Sequence, residues 1–569
     1  MTLSSPNKGG VFILLLECDN IKKYFGNRLI IDLEGLRVYS NDRIGIVGVN
    51  GSGKTTLMNI LSKKLEPDEG RVQLYGEYSY ILQLEPPENR ELSAEMASRF
   101  GVPDTWSENM SGGEQTRFKL AAGFDKDSIL LFADEPTSNV DMEGIELMES
   151  CFEEYRGGII LVSHDRSFLD RICNKILEIE NSKIKVYNGN YSDYCIQKKQ
   201  ERERAEFEYF QYISEKKRLE RIAIDLNQKS ASVNKTPKRM GNSETRLHKM
   251  GSQKAKASLD RTKKSIKTRI EHLEIKEKPA AEETIKFDIA ETKRVYSKVI
   301  IEGNNINKSF ADKVIFKDAE FTIKNGSKVA LIGPNGCGKT TLIKMIVNQE
   351  DCIKIAPAAK IGYFSQDMNI LDEKLTIIEN VMENSIYSES FARTLLARLL
   401  FKREEVFKRV NVLSGGERVK VSFAKILLED INLLILDEPT NYLDIKSIEV
   451  IEEALKNYDR TILFVSHDRR FISSVADHIM TIENNRIYIF RGSYEEYLEK
   501  RNQTLRNGTE DKEKQIFVLQ HRLAEVIGRL SMPSKQDDPE AFDKEYQEIL
   551  SEMKRLKAEV ENSIGKMNL

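Results

Sequence analysis

Short runs of apolar residues recur along the chain and end at charged or polar positions. Val11–Leu16, Arg43–Gly48, Ile129–Ala133, Ile159–Val162 and Leu433–Leu436 are four to six residues long and show no helical period. Such runs predict strands, and those followed by chemistry-bearing residues predict strands buried within a sheet. A different pattern begins near Tyr191. Apolar residues fall at Phe207, Phe210, Ile213, Leu219, Ile222 and Leu226 with charges between them, the spacing of a helix with one covered stripe. A return helix is expected over roughly Ser243 to Ile275, with Ile266, Ile270 and Leu273 on its stripe and Ser243 as N-cap. The residues between, 230–243, are rich in turn formers. Helices of about 35 residues extend about 50 Å, so this is a projecting antiparallel hairpin. After Tyr497, Leu519, Leu523, Val526 and Leu530 form one heptad-like stripe. Phe542, Tyr546, Ile549, Met553, Leu556 and Val560 form another beyond Met532-Pro533, predicting a second helical hairpin that serves either as a packing or dimerisation element or as an RNA contact.

The strand Arg43–Gly48 runs into Gly48-Val49-Asn50-Gly51-Ser52-Gly53-Lys54-Thr55, followed by a helical pattern from Thr56. Strand, GxxxxGK[ST], helix is a phosphate-binding P-loop in its required context. Gly48, Asn50, Gly51, Ser52, Gly53, Lys54, Thr55 and Thr56 supply backbone N–H groups, a helix N-terminus and a lysine for phosphates, and the Thr55 hydroxyl suits Mg²⁺. Downstream stand Gln83, then Ser111, Gly112, Gly113 and Glu114, then Asp134-Glu135 at a strand end, then His164 at another. Asp134 is placed to hold Mg²⁺ and Glu135 to polarise an attacking water.

The same order returns: Gly333, Asn335, Gly336, Cys337, Gly338, Lys339, Thr340 and Thr341; Gln366; Ser414, Gly415, Gly416 and Glu417; Asp437-Glu438; His467. Lys54 to Lys339 is an offset of 285, and so is Phe25 to Phe310. Ser111 to Ser414, Glu135 to Glu438 and His164 to His467 are each offset by 303. The change falls between the glutamine and the serine, 28 residues apart in the first copy and 48 in the second, so the first copy has a trimmed helical subdomain. Ser138-Asn139-Val140-Asp141 also replaces Asn441-Tyr442-Leu443-Asp444, and both copies keep the aspartate.

Charge singles out the segment between the copies. The 569 residues carry a net charge of −3, yet Leu226 to Ile270 holds 13 Lys/Arg against 2 acids, a local charge of +11. The candidates for anion contact are Lys235, Lys238, Arg239, Arg246, Lys249, Lys254, Lys256, Arg261, Lys263, Lys264, Lys267 and Arg269. A solvated spacer usually mixes signs, as residues 197–221 do, so counterion release from nucleic acid phosphates accounts better for this face. Cys18, Cys151, Cys173, Cys195, Cys337 and Cys352 form no CxxC pair, which argues against zinc modules and disulfide frames and fits a reducing compartment. No run approaches the 20 or so apolar residues of a bilayer span, which excludes a transporter with fused membrane helices.

The ordered set of motifs resembles the ATP-binding cassette family, in which Gln83 and Gln366 match the Q-loop, Ser111–Gln115 and Ser414–Glu417 the signature, and His164 and His467 the switch histidine. The resemblance implies that Gln83 and Gln366 join Thr55, Asp134, Thr340 and Asp437 at Mg²⁺. It also implies that Phe25 and Phe310 stack on adenine; an aromatic closing a strand in the core is the alternative. Cassettes of this family stack head to tail, so Lys54 would share an ATP with Ser414–Glu417, and Lys339 with Ser111–Glu114. Two cassettes, no span and a basic helical linker resemble the ABC-F subfamily, and residues 237–249 with the missing arm resemble its antibiotic-resistance members. The expected fold is α/β: two tandem P-loop cassettes at 1–190 and 299–499, a helical hairpin linker at 191–298, and a helical extension at 500–569. The implied function is that of a soluble, cytoplasmic, monomeric ATPase using ATP and Mg²⁺. It would bind the ribosomal E site, push its linker toward the P-site tRNA, large-subunit rRNA and peptidyl-transferase centre, and displace lincosamides, streptogramin A and pleuromutilins. No DNA partner is expected. A housekeeping translation or ribosome-assembly factor is the alternative, and a transporter's ATPase component the third.

Overall fold

The computed structural model describes residues 13–81, 87, 89–110, 112–126, 128–138, 140–232, 242–276, 278, 297–310, 313–365, 370–401, 403–503 and scattered positions from 515 to 557. The first cassette is built on a nine-stranded sheet. Its parallel centre is the strand Arg43–Gly48, flanked by Gly158–Val162 and Lys175–Glu180, with Leu130–Asp134 and Tyr78–Ile81 beyond. An antiparallel layer of Leu14–Phe25, Arg28–Tyr39 and Glu69–Leu74 continues the sheet through Lys183–Asn188. The second cassette repeats the core order, with Lys328–Ile332 between Thr461–Val465 and His478–Glu483, but holds its antiparallel strands as a separate three-stranded sheet.

Every residue of Leu130–Asp134, Gly158–Val162, Leu433–Asp437 and Thr461–Val465 is buried. That is the burial of strands covered on both faces by helices, and it explains their unbroken apolar runs. The chain then has to present its polar groups beyond the strands' carboxyl ends, which is where open parallel sheets bind ligands. The expected strand at Val11–Leu16 is the start of a longer one, Leu14–Phe25, whose burial largely alternates; residues 11 and 12 lie outside the described residues.

Contacts divide the chain into two units, Met1–Tyr191 with Ile285–Leu569, and Ser192–Thr284. Within the second, the helix that begins at Tyr191 runs to Ser232, and the return helix spans Asn242–Glu271. They are 42 and 30 residues long, or about 63 and 45 Å at 1.5 Å per residue. Ion pairs Arg269–Glu215 (3.5 Å) and Lys276–Glu208 (3.4 Å) set the return segment antiparallel to the outgoing helix. Two expectations change here. Ser243 lies inside the return helix, which begins at Asn242. Phe207 and Phe210 do not join the covered stripe: they are 62% and 71% exposed, whereas Leu219 is buried. At about 100° per residue they point about 120° and 180° away from Leu219. The spacing of three residues preserved a helical look while the angle drifted off the face.

In the C-terminal segment, Ile516, Val526, Ile549, Met553 and Leu556 form one apolar cluster, with Leu519, Leu523 and Tyr546 against it. The two heptad stripes thus meet. Leu530, Phe542 and Val560 lie outside the described residues. Among the described residues no helix is long and apolar enough to cross a membrane, and all six cysteines are free.

Candidate active site

The two P-loops occupy the turn from a central strand into the helices Lys54–Leu61 and Lys339–Val347. Gly53 and Gly338 precede those helices at φ 102° and 110°, a region disfavoured for any residue with a Cβ. A Cβ on Gly53 would lie 2.8 Å from Ile30 Cγ2, and one on Gly338 2.4 Å from Ile315 Cγ2. Lys54 Nζ donates to the carbonyls of Gly48 (3.0 Å) and Val49 (3.3 Å) and to Asn50 Oδ1 (3.3 Å). Lys339 Nζ donates to Gly333 and Pro334. Both ammonium groups are therefore bent over the loop, where phosphate oxygens would meet the N–H groups of the same turn. Among the described residues Ser52 Oγ is buried without a hydrogen-bond partner, a donor that a phosphate would satisfy.

The metal side fits as well. Thr55 hydrogen-bonds to the Asp134 carboxylate, so two hard oxygen donors already adjoin. Burial pushes the Asp134 carboxyl up, and the Thr55 bond and Lys54 pull against it. Thr340 and Asp437 hold the equivalent positions at the second helix N-terminus and strand end. Gln83 and Gln366 lie outside the described residues.

Glu135 and Glu438 adopt φ values of 49° and 51°, the left-handed region, in both copies. Non-glycine residues hold that conformation at a cost of about 1–3 kcal/mol when the surroundings fix it. Here the fixing bonds are Glu135 N–H to Val162 O (2.9 Å) and Glu438 N–H to Val465 O (3.1 Å). The turn swings each carboxylate under a histidine: His164 Nε2 is 3.1 Å from Glu135 Oε1, and His467 Nε2 is 3.2 Å from Glu438 Oε1. Burial pushes Glu135 up to about 8 and Glu438 up to about 7, opposed by Lys54 and Lys339. The same burial lowers His164 to about 3 and His467 to about 4. The imidazoles are thus neutral, able to hold a hydrogen bond and orient the carboxyl without titrating near neutrality. His164 Nδ1 and His467 Nδ1 are buried and unpartnered among the described residues.

A cavity of about 1280 Å³ joins the copies. Lys54, Glu135 and His164 line it from the first cassette, and Ser414, Gly416 and Glu417 from the second. Ser414 caps the helix Gly415–Leu428, its hydroxyl accepting from the N–H of Glu417, whose carboxylate reaches back to Ser414 N–H at 2.8 Å. A Cβ on Gly416 would fall 2.8 Å from Tyr442 O of its own cassette, too close for any side chain, and 3.2 Å from Asn50 Nδ2 of the opposite P-loop, which it would crowd. Two hydrogen bonds lock the approach: Asn50 N–H to Asp444 Oδ2 (3.2 Å) and Asn50 Nδ2 to Tyr442 O (2.9 Å). On the other side Asn335 N–H donates to Asp141 Oδ2 at 2.9 Å, so the first copy's aspartate also bonds across the interface despite the changed residues before it. Gly112, Gly113 and Glu114 open the helix Gly112–Asp125; Ser111 is outside the described residues.

Phe25 and Phe310 close the strands Leu14–Phe25 and Val299–Phe310 and are 57% and 54% exposed. Neither is a core aromatic, and Phe25 borders the cavity. Of the basic candidates, Lys235, Lys238 and Arg239 lie outside the described residues, and Arg246, Lys249, Lys254 and Lys256 sit on the return helix. Further along that helix, Arg261, Lys264, Lys267 and Arg269 are exposed and Lys263 is half-buried. Arg269 pairs with Glu215, and Lys267 approaches Glu271 at 4.0 Å.

Asp444 carries several loads. It caps the helix Ile445–Lys456 through Ser447 N–H, meets Asn50, and forms an ion pair with Lys420 at 3.0 Å in which both side chains are buried. Lys420 and the cap bonds hold its carboxyl down to about 2 against the upward push of burial. Asp444→Ala leaves the Lys420 ammonium buried without its counter-charge and should cost about 3–5 kcal/mol. The readout is the urea midpoint of the second cassette's transition; a midpoint unchanged within error would contradict this role.

The protein-family model described as ABC transporter matches residues 34–98 and 316–441. Ribosome protection protein VmlR of Bacillus subtilis (strain 168) is 32% identical over 540 residues, covering 91% of this chain and 94% of that protein. Erythromycin resistance ATP-binding protein MsrA of Staphylococcus epidermidis is 33% identical over 455 residues, covering 79% of this chain and 93% of that protein. Among solved structures, RNase-L Inhibitor superposes with a TM-score of 0.57 at 20% identity, over 86% of this chain and 93% of its own, a likeness of fold.

Proposed function

Since the chain belongs to the ABC-F family of ATP-binding cassette proteins and is an ATPase, we propose that it is a ribosome-protecting clamp driven by ATP at two composite sites. In this reading Lys54, Thr55, Asp134, Glu135 and His164 act with Ser414–Glu417 and Asp444 on one ATP. Lys339, Thr340, Asp437, Glu438 and His467 act with Ser111–Glu114 and Asp141 on the other. Mg²⁺, when bound, neutralises charge on the phosphates; Glu135 and Glu438 take the proton of the attacking water, and the histidines keep those carboxylates in line. ATP holds the cassettes together through both signatures, and hydrolysis releases them.

The closed form binds the ribosome at the E site in the cytoplasm. The helical unit extends toward the P-site tRNA and peptidyl-transferase centre, and bound lincosamide, streptogramin A or pleuromutilin is displaced. The observation that carries this reading is the match to a ribosome protection protein over 91% of the chain. The 9% left over, about 51 of 569 residues, is smaller than the 93 residues of Ser192–Thr284, so the match cannot be to cassettes alone. The charge of the return helix supports it: a basic face on a long helix suits the phosphates and 2′-hydroxyls of folded RNA.

The test is translation in vitro with ribosome-targeting drugs. The panel is a lincosamide, streptogramin A, a pleuromutilin and, because one relative is named for it, erythromycin. Addition of the protein with ATP should restore synthesis against at least one of them. No rescue against any drug would favour a housekeeping role in translation or ribosome assembly.

A further inference from the structure

The loops that follow the two switch histidines meet between the cassettes, and the offset of 303 pairs their residues: Asp165 with Asp468, Arg166 with Arg469, Glu149 with Glu452. Each arginine crosses to the opposite cassette. Arg166 Nη2 lies 2.8 Å from Glu452 Oε2 and 3.5 Å from Asp468 Oδ2. Arg469 reaches Glu149 at 3.3 Å and Glu146 at 3.2 Å. The first half of the pattern is symmetric and the second is not: Arg166 takes hold of the aspartate beside the opposite histidine, whereas the ion pairs of Arg469 go to two glutamates of one helix. The Arg166 side chain is 6% exposed and Glu149 is buried, whereas Arg469 and Glu146 are half-buried.

We propose that Arg166 is a positioning residue for hydrolysis at the opposite site, where it acts through Asp468 to keep His467 against Glu438. This rests on the assignment of the two composite sites above. Asp468 Oδ1 accepts from Phe471 N–H at 3.0 Å and so fixes the start of the helix Arg469–Val475, one residue after His467. Its carboxylate faces Asp165 and Glu452 as well as Arg166; Arg469 acts on Asp165 and Lys456 approaches Glu452 at 4.0 Å, which leaves the Arg166 guanidinium, 3.5 Å away, as the cation against Asp468 itself. Without it the carboxylates repel and the His467 loop loosens. The His164 loop depends less on its own cross-interface arginine. Asp165 Oδ1 already accepts from both Ser167 N–H (2.9 Å) and Phe168 N–H (3.0 Å), two cap bonds within its own cassette. Arg166 also grips Glu452 on the helix that Asp444 caps, and Asp444 bonds to the first P-loop. One side chain therefore connects the framework of the first site to the histidine of the second.

The experiment uses the full chain in single-turnover hydrolysis with one live site. Glu135→Gln leaves the second site live, and Glu438→Gln the first. Arg166→Gln should slow the live second site about tenfold, the scale of a catalytic group displaced by a fraction of an ångström. It should leave the ATP concentration for half-maximal rate within about twofold and slow the live first site less than about twofold. Arg166→Lys, which keeps the charge, should recover much of the loss, and Arg469→Gln should slow the live first site less than Arg166→Gln slows the second. Equal losses at both sites, a larger loss at the first, or a change confined to ATP half-saturation would overturn the proposal. If neither glutamine background leaves a live site while Arg166 is intact, the two-site assignment itself has failed.

Discussion

The variant carrying both Glu135→Gln and Glu438→Gln should bind ATP, stop turning over, and stay closed. Glutamine matches the shape of glutamate and keeps the left-handed turn, whose N–H groups remain bonded to Val162 and Val465. It can still hydrogen-bond to His164 or His467, 3.1 and 3.2 Å away. What it loses is the ability to accept a proton from water, a contribution of about 10²–10⁴ in rate. The P-loop lysines, Ser414–Glu417 and the Asn50–Asp444 bond are untouched, so affinity for ATP and the grip between cassettes should persist. Phosphate release should fall by at least about a hundredfold, and nucleotide should remain with the protein through gel filtration. Turnover at the wild-type rate would remove both glutamates from the chemistry.

Deletion of Val233–Met240 should abolish drug rescue while leaving every nucleotide motif in place. The residues fall between the helices that end at Ser232 and begin at Asn242, and three of the predicted phosphate contacts, Lys235, Lys238 and Arg239, are among them. The return helix behind the deletion retains Arg261, Lys263, Lys264, Lys267 and Arg269, so ribosome binding should survive better than protection. In the translation assay, synthesis with drug should fall to the level seen without the protein. Rescue that persists would show that the segment is not the effector, and would move attention to the charges along the return helix.

The nucleotide-binding motifs were legible because phosphate and proton chemistry permits few choices. A GxxxxGK[ST] cradle, carboxylates at a strand end and a histidine at the next strand end came in one order, twice. The buried parallel strands were equally plain, since strands covered on both faces are apolar throughout. The antiparallel layers were less so: Leu14–Phe25 alternates, and only its apolar start stood out. Phe207 and Phe210 leave the covered stripe because steps of three residues accumulate an angle that spacing alone does not reveal. Arg166, Arg469, Glu149 and Glu452 were not legible because charged residues are ordinarily at the surface, yet the 303 offset that pairs Glu135 with Glu438 also pairs these. Tyr442 entered the interface through its backbone carbonyl, which no side-chain pattern reports.

An ATP-closed form that recognises the ribosome is the centre of the proposed function, and sedimentation tests it most directly. The Glu135→Gln/Glu438→Gln variant is mixed with ribosomes in ATP or in ADP and pelleted. Retention in ATP should exceed that in ADP by about tenfold or more, because ATP can bias the clamp only through its preference for the closed state. Equal retention in the two nucleotides, or none in either, would contradict it.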